Sequence, residues 1–240
     1  GHLADLVTAV QRHAQRQVAA ALGLQHDILE GIEVAEQKAD QQLRGGEQTE
    51  HQHGDGGDDD DFIGGQNNDD ALFGAGGNDT MFGGDGNDHV HGGAGDDWVG
   101  GNAGNDTLVG GAGRDDLDGG LGDDLLLAAD DDEPDFLHGG DGDDTLVAGN
   151  GDYAEGGAGH DLYRLGLNHP DVPTLGQFDP AEDRIEVVLP AGYGHPGDLT
   201  LEPDDDGSVL LRLDGTAIAR VLQTDVASLQ DLSLTTVRAA

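Results

Sequence analysis

The chain contains no cysteine, which excludes a disulfide framework and thiol chemistry and suits either side of a membrane. Basic residues are scarce: Lys and Arg total 10 against 50 Asp and Glu, for a net charge of −40. A nucleic-acid partner needs a basic surface and is excluded. Phe, Trp and Tyr make up 4% of the 240 residues, too few for a conventional hydrophobic core. No apolar run approaches the length of about 18 residues that spans a bilayer. No N-terminal secretory signal is legible. Glycine, by contrast, numbers 43. Low hydrophobicity with high net charge is the signature of disorder, but here Gly and Asp recur at a fixed period, which disorder does not require.

The composition changes along the chain and divides it into segments at 1–45, 46–55, 56–164 and 165–240. In the first, Leu3, Leu6, Val7, Val10, Ala14, Val18, Ala21 and Leu22 recur at intervals of three and four residues, which predicts an amphipathic helix with a break near Gly23. Residues 46–55 read as a polar linker. In the last segment Asp183–Leu189, Leu199–Glu202, Val209–Leu213 and Thr216–Leu222 predict strands. Asp214-Gly215 predicts a tight hairpin turn, and Thr224–Leu232 predicts a short capped helix.

Residues 56–164 repeat every nine residues. GAGGNDTMF from Gly74, GGDGNDHVH from Gly83, GGAGDDWVG from Gly92, GNAGNDTLV from Gly101, GGAGRDDLD from Gly110 and GGLGDDLLL from Gly119 run without interruption. GGDGDDTLV from Gly139 and GGAGHDLYR from Gly156 follow, and looser copies lead in from Gly56 and Gly65. Each unit opens with glycines that allow positive φ and tight turning; at the fourth position Asp59 and Asn68 stand in for Gly. Each unit closes with a short strand whose eighth residue is apolar and points inward between two outward neighbours. One aliphatic side chain per nine residues is a thin column, and its burial cannot offset the entropy of ordering the unit. The sixth-position carboxylates would also repel one another. A cation addresses both problems.

This pattern resembles the RTX (repeats-in-toxin) family of calcium-binding nonapeptide repeats, with motif GGxGxDxUx. The resemblance implies a mainly β protein, a parallel β-roll (right-handed β-solenoid), here with an N-terminal α-helical segment and a C-terminal β-rich cap. It implies Ca²⁺ held between turns stacked eighteen residues apart by carboxylates and backbone carbonyls. Carried onto this chain, the ligands are Asp61, Asp79, Asp97, Asp115, Asp135 and Asp152 on one edge, and Asp70, Asp88, Asp106, Asp124, Asp144 and Asp161 on the other. Six turns per edge leave five gaps each, a ceiling of about ten ions. Two units are irregular: residues 128–138 carry two extra residues with Pro134 before Asp135, and residues 148–155 are one short with Ala154 inward. Bulging is expected at Asp135 and Asp152.

Further expectations follow from the resemblance: a secreted bacterial location, export by a type I secretion apparatus with its signal in the C-terminal segment, and no enzymatic activity in this chain. The regular acids fit metal binding better than a hydrolase pair, and no Ser-His-Asp, zincin or phosphate-loop motif occurs. Three functions fit: a module that folds on Ca²⁺ after export, the non-catalytic part of a secreted enzyme (protease, lipase or alginate-modifying), or a Ca²⁺-dependent adhesion or self-assembly protein.

By parity, Phe62, Phe82, Trp98, Phe136 and Tyr153 face outward on one sheet. Phe73, Val109, Leu125, Leu127, Val147 and Leu162 face outward on the other. Such stripes call for a cover or a ligand; the N-terminal helix, the C-terminal strands, a second copy or a glycan are the alternatives. His89 and His91 flank inward Val90, an arrangement open to a transition metal but more common as a plain surface pair.

Overall fold

A computed structural model describes residues 42–44, 53–128, 132–167, 171–190, 193, 198–222, 228–229 and 234–238. The strands are β1 (Gln42–Arg44), β2 (His53–Gly57), β3 (Phe62–Asn67), β4 (Ala71–Gly76), β5 (Thr80–Asp85), β6 (His89–Ala94), β7 (Trp98–Ala103), β8 (Thr107–Ala112), β9 (Asp116–Leu121) and β10 (Leu125–Leu127). They continue as β11 (Phe136–Asp141), β12 (Thr145–Ala148), β13 (Tyr153–Ala158), β14 (Leu162–Leu165), β15 (Thr174–Gly176), β16 (Arg184–Leu189), β17 (Leu199–Pro203), β18 (Val209–Leu213), β19 (Thr216–Val221) and β20 (Leu234–Arg238).

From β1 to β16, odd and even strands separate into two sheets, as a turn every nine residues requires. One sheet runs β1-β3-β5-β7-β9-β11-β13-β15-β19-β18-β17, and the other β2-β4-β6-β8-β10-β12-β14-β16-β20. Pairing within the repeats is parallel and in register, as in Thr80↔Trp98, Met81↔Val99 and Phe82↔Gly100. The single inward column is continuous: Ile63, Leu72, Met81, Val90, Val99, Leu108, Leu117, Leu126, Leu137, Leu146, Ala154 and Tyr163 are each at most 2% exposed. Tyr163 keeps a polar tip inside, and its hydroxyl accepts the Gly156 N–H at 2.7 Å.

Several sequence expectations change. Residues 1–41 of the expected helix lie outside the described residues, but Gln42–Arg44 at its end is strand and pairs with β3, Leu43 opposite Ile63. The expected linker ends early, because His53 already pairs with Ala71 in the second sheet. Asn68 has a positive φ of 75°, as its place in the turn demands, whereas Asp59 is not among the positive-φ residues. The expected strands of the C-terminal segment form, with Asp214 and Gly215 both at positive φ (52° and 81°) in the hairpin between β18 and β19, the geometry that matches strand twist. The helix expected at Thr224–Leu232 falls outside the described residues, except for Ser228 and Leu229, which lie in a turn.

The C-terminal segment also does something the sequence reading did not assign to it. β15 and β16 extend the two sheets by parallel pairing with β13 and β14. The C-terminal strands thus prolong the roll and do not cover its outer faces. Leu175, Ile185 and Val187 continue the buried column, while β17–β19 turn antiparallel and end the parallel stack on that sheet.

Candidate metal-binding edges

Every sixth-position Asp stands immediately before a strand, so the acids line two edges where the chain passes between the sheets. All twelve expected residues are buried, none more than 6% exposed. They form two ladders. On one edge the Asp61 N–H donates to Asp79 Oδ1 at 2.7 Å, Asp79 to Asp97 at 2.8 Å and Asp97 to Asp115 at 2.9 Å. On the other, Asp70 donates to Asp88, Asp88 to Asp106 and Asp106 to Asp124, each at 2.7 Å. Each step spans 18 residues.

The irregular units keep this register. Asp115 donates to Asp135 Oδ1 at 2.8 Å across 20 residues, and Asp135 to Asp152 at 3.1 Å across 17. Both ladder bonds form although the spacing between the acids has changed. The second ladder runs one residue further than the sequence reading took it: Asp161 donates to Asp183 Oδ1 at 3.1 Å, and Asp183 is 5% exposed. The signal was present in Asp183-Arg184-Ile185, which repeats the Asp-x-apolar spacing, but no glycine turn precedes it. On the first edge the equivalent position after Asp152 is Pro173, directly before β15, and the ladder ends.

The fifth positions form ladders of their own, which the sequence alone does not reveal. The fifth-position side chain accepts the N–H of the next turn's fifth residue, so it reaches forward where the sixth-position Asp reaches back to the turn before. Asn78 donates to Asp60 Oδ1, Asp96 to Asn78 and Arg114 to Asp96, at 2.7, 2.9 and 3.0 Å. Arg114 has no acceptor to offer, and the following turn holds Pro134, which has no N–H to give.

Together these bonds use up the donors of each turn. In the turn 104–107, the Gly104 N–H goes to Leu121 O (2.8 Å), Asn105 to Asn87 Oδ1 (2.8 Å), Asp106 to Asp124 Oδ1 (2.7 Å) and Thr107 to Asp88 O (2.8 Å). What remains is oxygen. The Oδ2 atoms of Asp79, Asp88, Asp97, Asp106, Asp124, Asp144 and Asp161 are buried and accept no hydrogen bond. A cradle lies beside those of Asp79, Asp97, Asp106, Asp124 and Asp144: a Cβ built on Gly101 would come within 3.0 Å of both Asp106 Oδ2 and Gly119 O, and one on Gly92 would meet Asp97 Oδ2 and Gly110 O in the same way. Buried acceptors that face one another without a donor are costly. A hard cation that takes 6–8 oxygens, carboxylate and carbonyl alike, satisfies them. Among the described residues no three His, Cys, Asp or Glu side chains converge on one point, so a cation here would draw most of its oxygens from the backbone. His89 and His91 both lie against Phe73, with ring centroids 6.3 Å apart in each pair, and belong to no such cluster.

The electrostatics agree. Burial pushes the Asp124 carboxyl up to about 7. It pushes Asp79, Asp88, Asp144 and Asp183 to about 6; an N–H donor from the preceding turn holds each back, and in each a neighbouring carboxylate adds to the rise. Asp97, Asp106 and Asp161 are raised by burial as well.

Two acids differ from the rest. Asp152 Oδ2 accepts the Gly149 N–H at 2.6 Å, and Asp183 Oδ2 accepts the Asp179 N–H at 2.7 Å, so the backbone already takes the oxygen that other turns leave over. Asp106→Asn keeps the Oδ1 acceptor and removes the charge; it is expected to lower the number of Ca²⁺ bound and raise the folding midpoint in Ca²⁺ about tenfold, equivalent to about 1.4 kcal/mol. Asp152→Asn is expected to leave the number of ions unchanged. Equilibrium dialysis with ⁴⁵Ca²⁺ compares the two, and equal losses would remove the distinction.

Two stacked sheets with acid ladders along both connecting edges define a nonapeptide β-roll. The family model of the RTX calcium-binding nonapeptide repeat matches four times, at residues 64–99, 73–108, 91–126 and 129–154, and these turns are RTX calcium-binding repeats. Among solved structures, the extracellular lipase LipA from Serratia marcescens is similar over 75% of this chain, with 16% identity and a TM-score of 0.31. The match spans 39% of that lipase chain, well under half its length. No curated protein matches the chain. No helix among the described residues is long and apolar enough to cross a membrane.

Proposed function

We propose that this chain is a non-catalytic, Ca²⁺-responsive folding module of a secreted bacterial protein. The observation that carries the reading is the row of buried Asp Oδ2 atoms that accept no hydrogen bond, with those of Asp79, Asp97, Asp106, Asp124 and Asp144 set against a backbone carbonyl beside a glycine. Without a cation, every added turn buries another such oxygen in a chain of net charge −40. At low Ca²⁺, as inside a cell, the repeats stay unfolded and able to pass through a type I secretion apparatus. At external Ca²⁺ concentrations, binding to the folded state alone draws the chain into the roll. Asp79, Asp97 and Asp115 on one edge, and Asp88, Asp106, Asp124, Asp144 and Asp161 on the other, would hold the ions together with the carbonyls of the opening glycines. Ca²⁺ is favoured over Mg²⁺ because a site built largely of backbone carbonyls suits a large cation of flexible coordination.

Far-UV circular dichroism and size exclusion of the whole chain, first in EGTA and then on titration with Ca²⁺ or Mg²⁺, test this. The expected result is an expanded chain in EGTA, a cooperative gain of β signal and compaction with Ca²⁺, and little response to Mg²⁺. Equal β content and equal size in EGTA would overturn it.

A further inference from the structure

The outer faces of the two sheets are not alike. On the second sheet, Phe73, His91, Val109, Leu127 and Val147 stand in consecutive register, and all five are half-buried. On the first sheet the large aromatics alternate. The seventh-position column reads Phe62, Thr80, Trp98, Asp116, Phe136 across β3, β5, β7, β9 and β11. Phe62, Trp98 and Phe136 are 41%, 47% and 44% exposed. With strands about 4.8 Å apart, these rings recur every two strands, about 9.6 Å. Between them stand a hydroxyl and a carboxylate.

We propose that this column is a binding platform for a neutral β-1,4-linked glycan. The two-ring repeat of such a glycan is close to the two-strand spacing. Its pyranose rings present apolar C–H faces that stack on aromatic rings, and the hydroxyls at its edges meet Thr80 and Asp116, which can accept hydrogen bonds. The parallel sheet fixes the backbone under the three rings, so little backbone freedom is lost on binding. Charge selects the glycan: Asp116, in a chain of net charge −40, repels uronate and sulfated polymers. Charge also disfavours a second copy of the chain, which would set Asp116 against its own counterpart, and an anionic lipid surface.

Trp98 is the sole tryptophan, so its fluorescence reports on the middle of the platform. The test uses the whole chain in saturating Ca²⁺, titrated with cellohexaose, chitohexaose or xylohexaose, with oligogalacturonate as the charged comparison. A saturable blue shift and a fall in acrylamide quenching are expected with a neutral hexasaccharide, with a far weaker response to the disaccharide and none to oligogalacturonate. Phe62→Ala and Phe136→Ala leave the reporter in place, and each should weaken hexasaccharide binding about three- to tenfold while the circular dichroism in Ca²⁺ stays unchanged. Three results would overturn the proposal: no response to any neutral hexasaccharide, parental affinity in both Phe variants, or a Trp98 already shielded from acrylamide before sugar is added, which would mean that protein covers the face. Failure here leaves Ca²⁺-dependent folding intact, since that is read separately in EGTA.

Discussion

Replacing Gly101 by alanine is expected to disable the centre of the roll, whereas the same change at Gly100 is expected to do little. The two glycines are neighbours in β7. Gly100 faces outward, and a Cβ there would meet the Phe82 ring at 3.0 Å, the side chain of a surface residue that can turn aside. Gly101 faces the edge. Its Cβ would press on Asp106 Oδ2 and on the Gly119 carbonyl, both under 3.0 Å, and the second of these is backbone locked in its own turn. The methyl group would therefore fill the space in which a cation meets those two oxygens. Overpacking of this kind costs about 1–3 kcal/mol, and the lost cation adds to it. The Ca²⁺ midpoint for folding of Gly101→Ala should rise by more than about tenfold, with fewer ions bound at saturation, while Gly100→Ala stays near the parent. A Ca²⁺ titration followed by circular dichroism compares them; equal midpoints would mean that the cradle holds no ion.

Acid is expected to have opposite effects with and without metal. The ladder carboxyls have folded-state values raised to about 6 and, for Asp124, about 7, above the value of about 3.9 for an unfolded Asp. Between those limits the metal-free folded state holds more protons than the unfolded one. Its stability therefore rises as pH falls through about 7 toward about 4, and is lost again as pH climbs back. Ca²⁺ reverses the sign, since these carboxylates must be deprotonated to bind it. Metal-stripped protein should gain β structure and melting temperature on going from about pH 7 to about pH 4.5, while protein at fixed Ca²⁺ should lose melting temperature over the same range. A metal-free roll that melts lower in acid would show that the carboxylates are not crowded as the ladders imply.

Much of this was legible in the sequence because the signals are local and repeated. The apolar eighth position and the sixth-position Asp define column and edges without reference to anything distant, and the parity of Phe62 and Trp98 put them on one face. What escaped notice depends on partners eighteen residues away. The fifth-position ladder reads in the sequence as a mere preference for Asn and Asp; its meaning appears only when Asn78 is seen to accept from Asp96. Asp183 was passed over because its turn is built from Phe178-Asp179-Pro180 and not from glycine. Asp135 keeps its ladder bond across 20 residues where its neighbours span 18, and spacing counted along the chain cannot show that. For Asp152, the capture of Oδ2 by the Gly149 N–H is a detail of one shortened turn.

Alternation of the sheets restricts how such a chain can change its length. Because consecutive units belong to opposite sheets, eighteen residues, not nine, is the smallest block that can be gained or lost without exchanging everything downstream. Removing one unit would carry Phe136 across to the face of His89 and His91 and hand each remaining acid to the opposite edge. Removing two would shorten the roll and leave both faces as they were. The sequence repeat is nine, but the unit of inheritance is a full circuit of the coil.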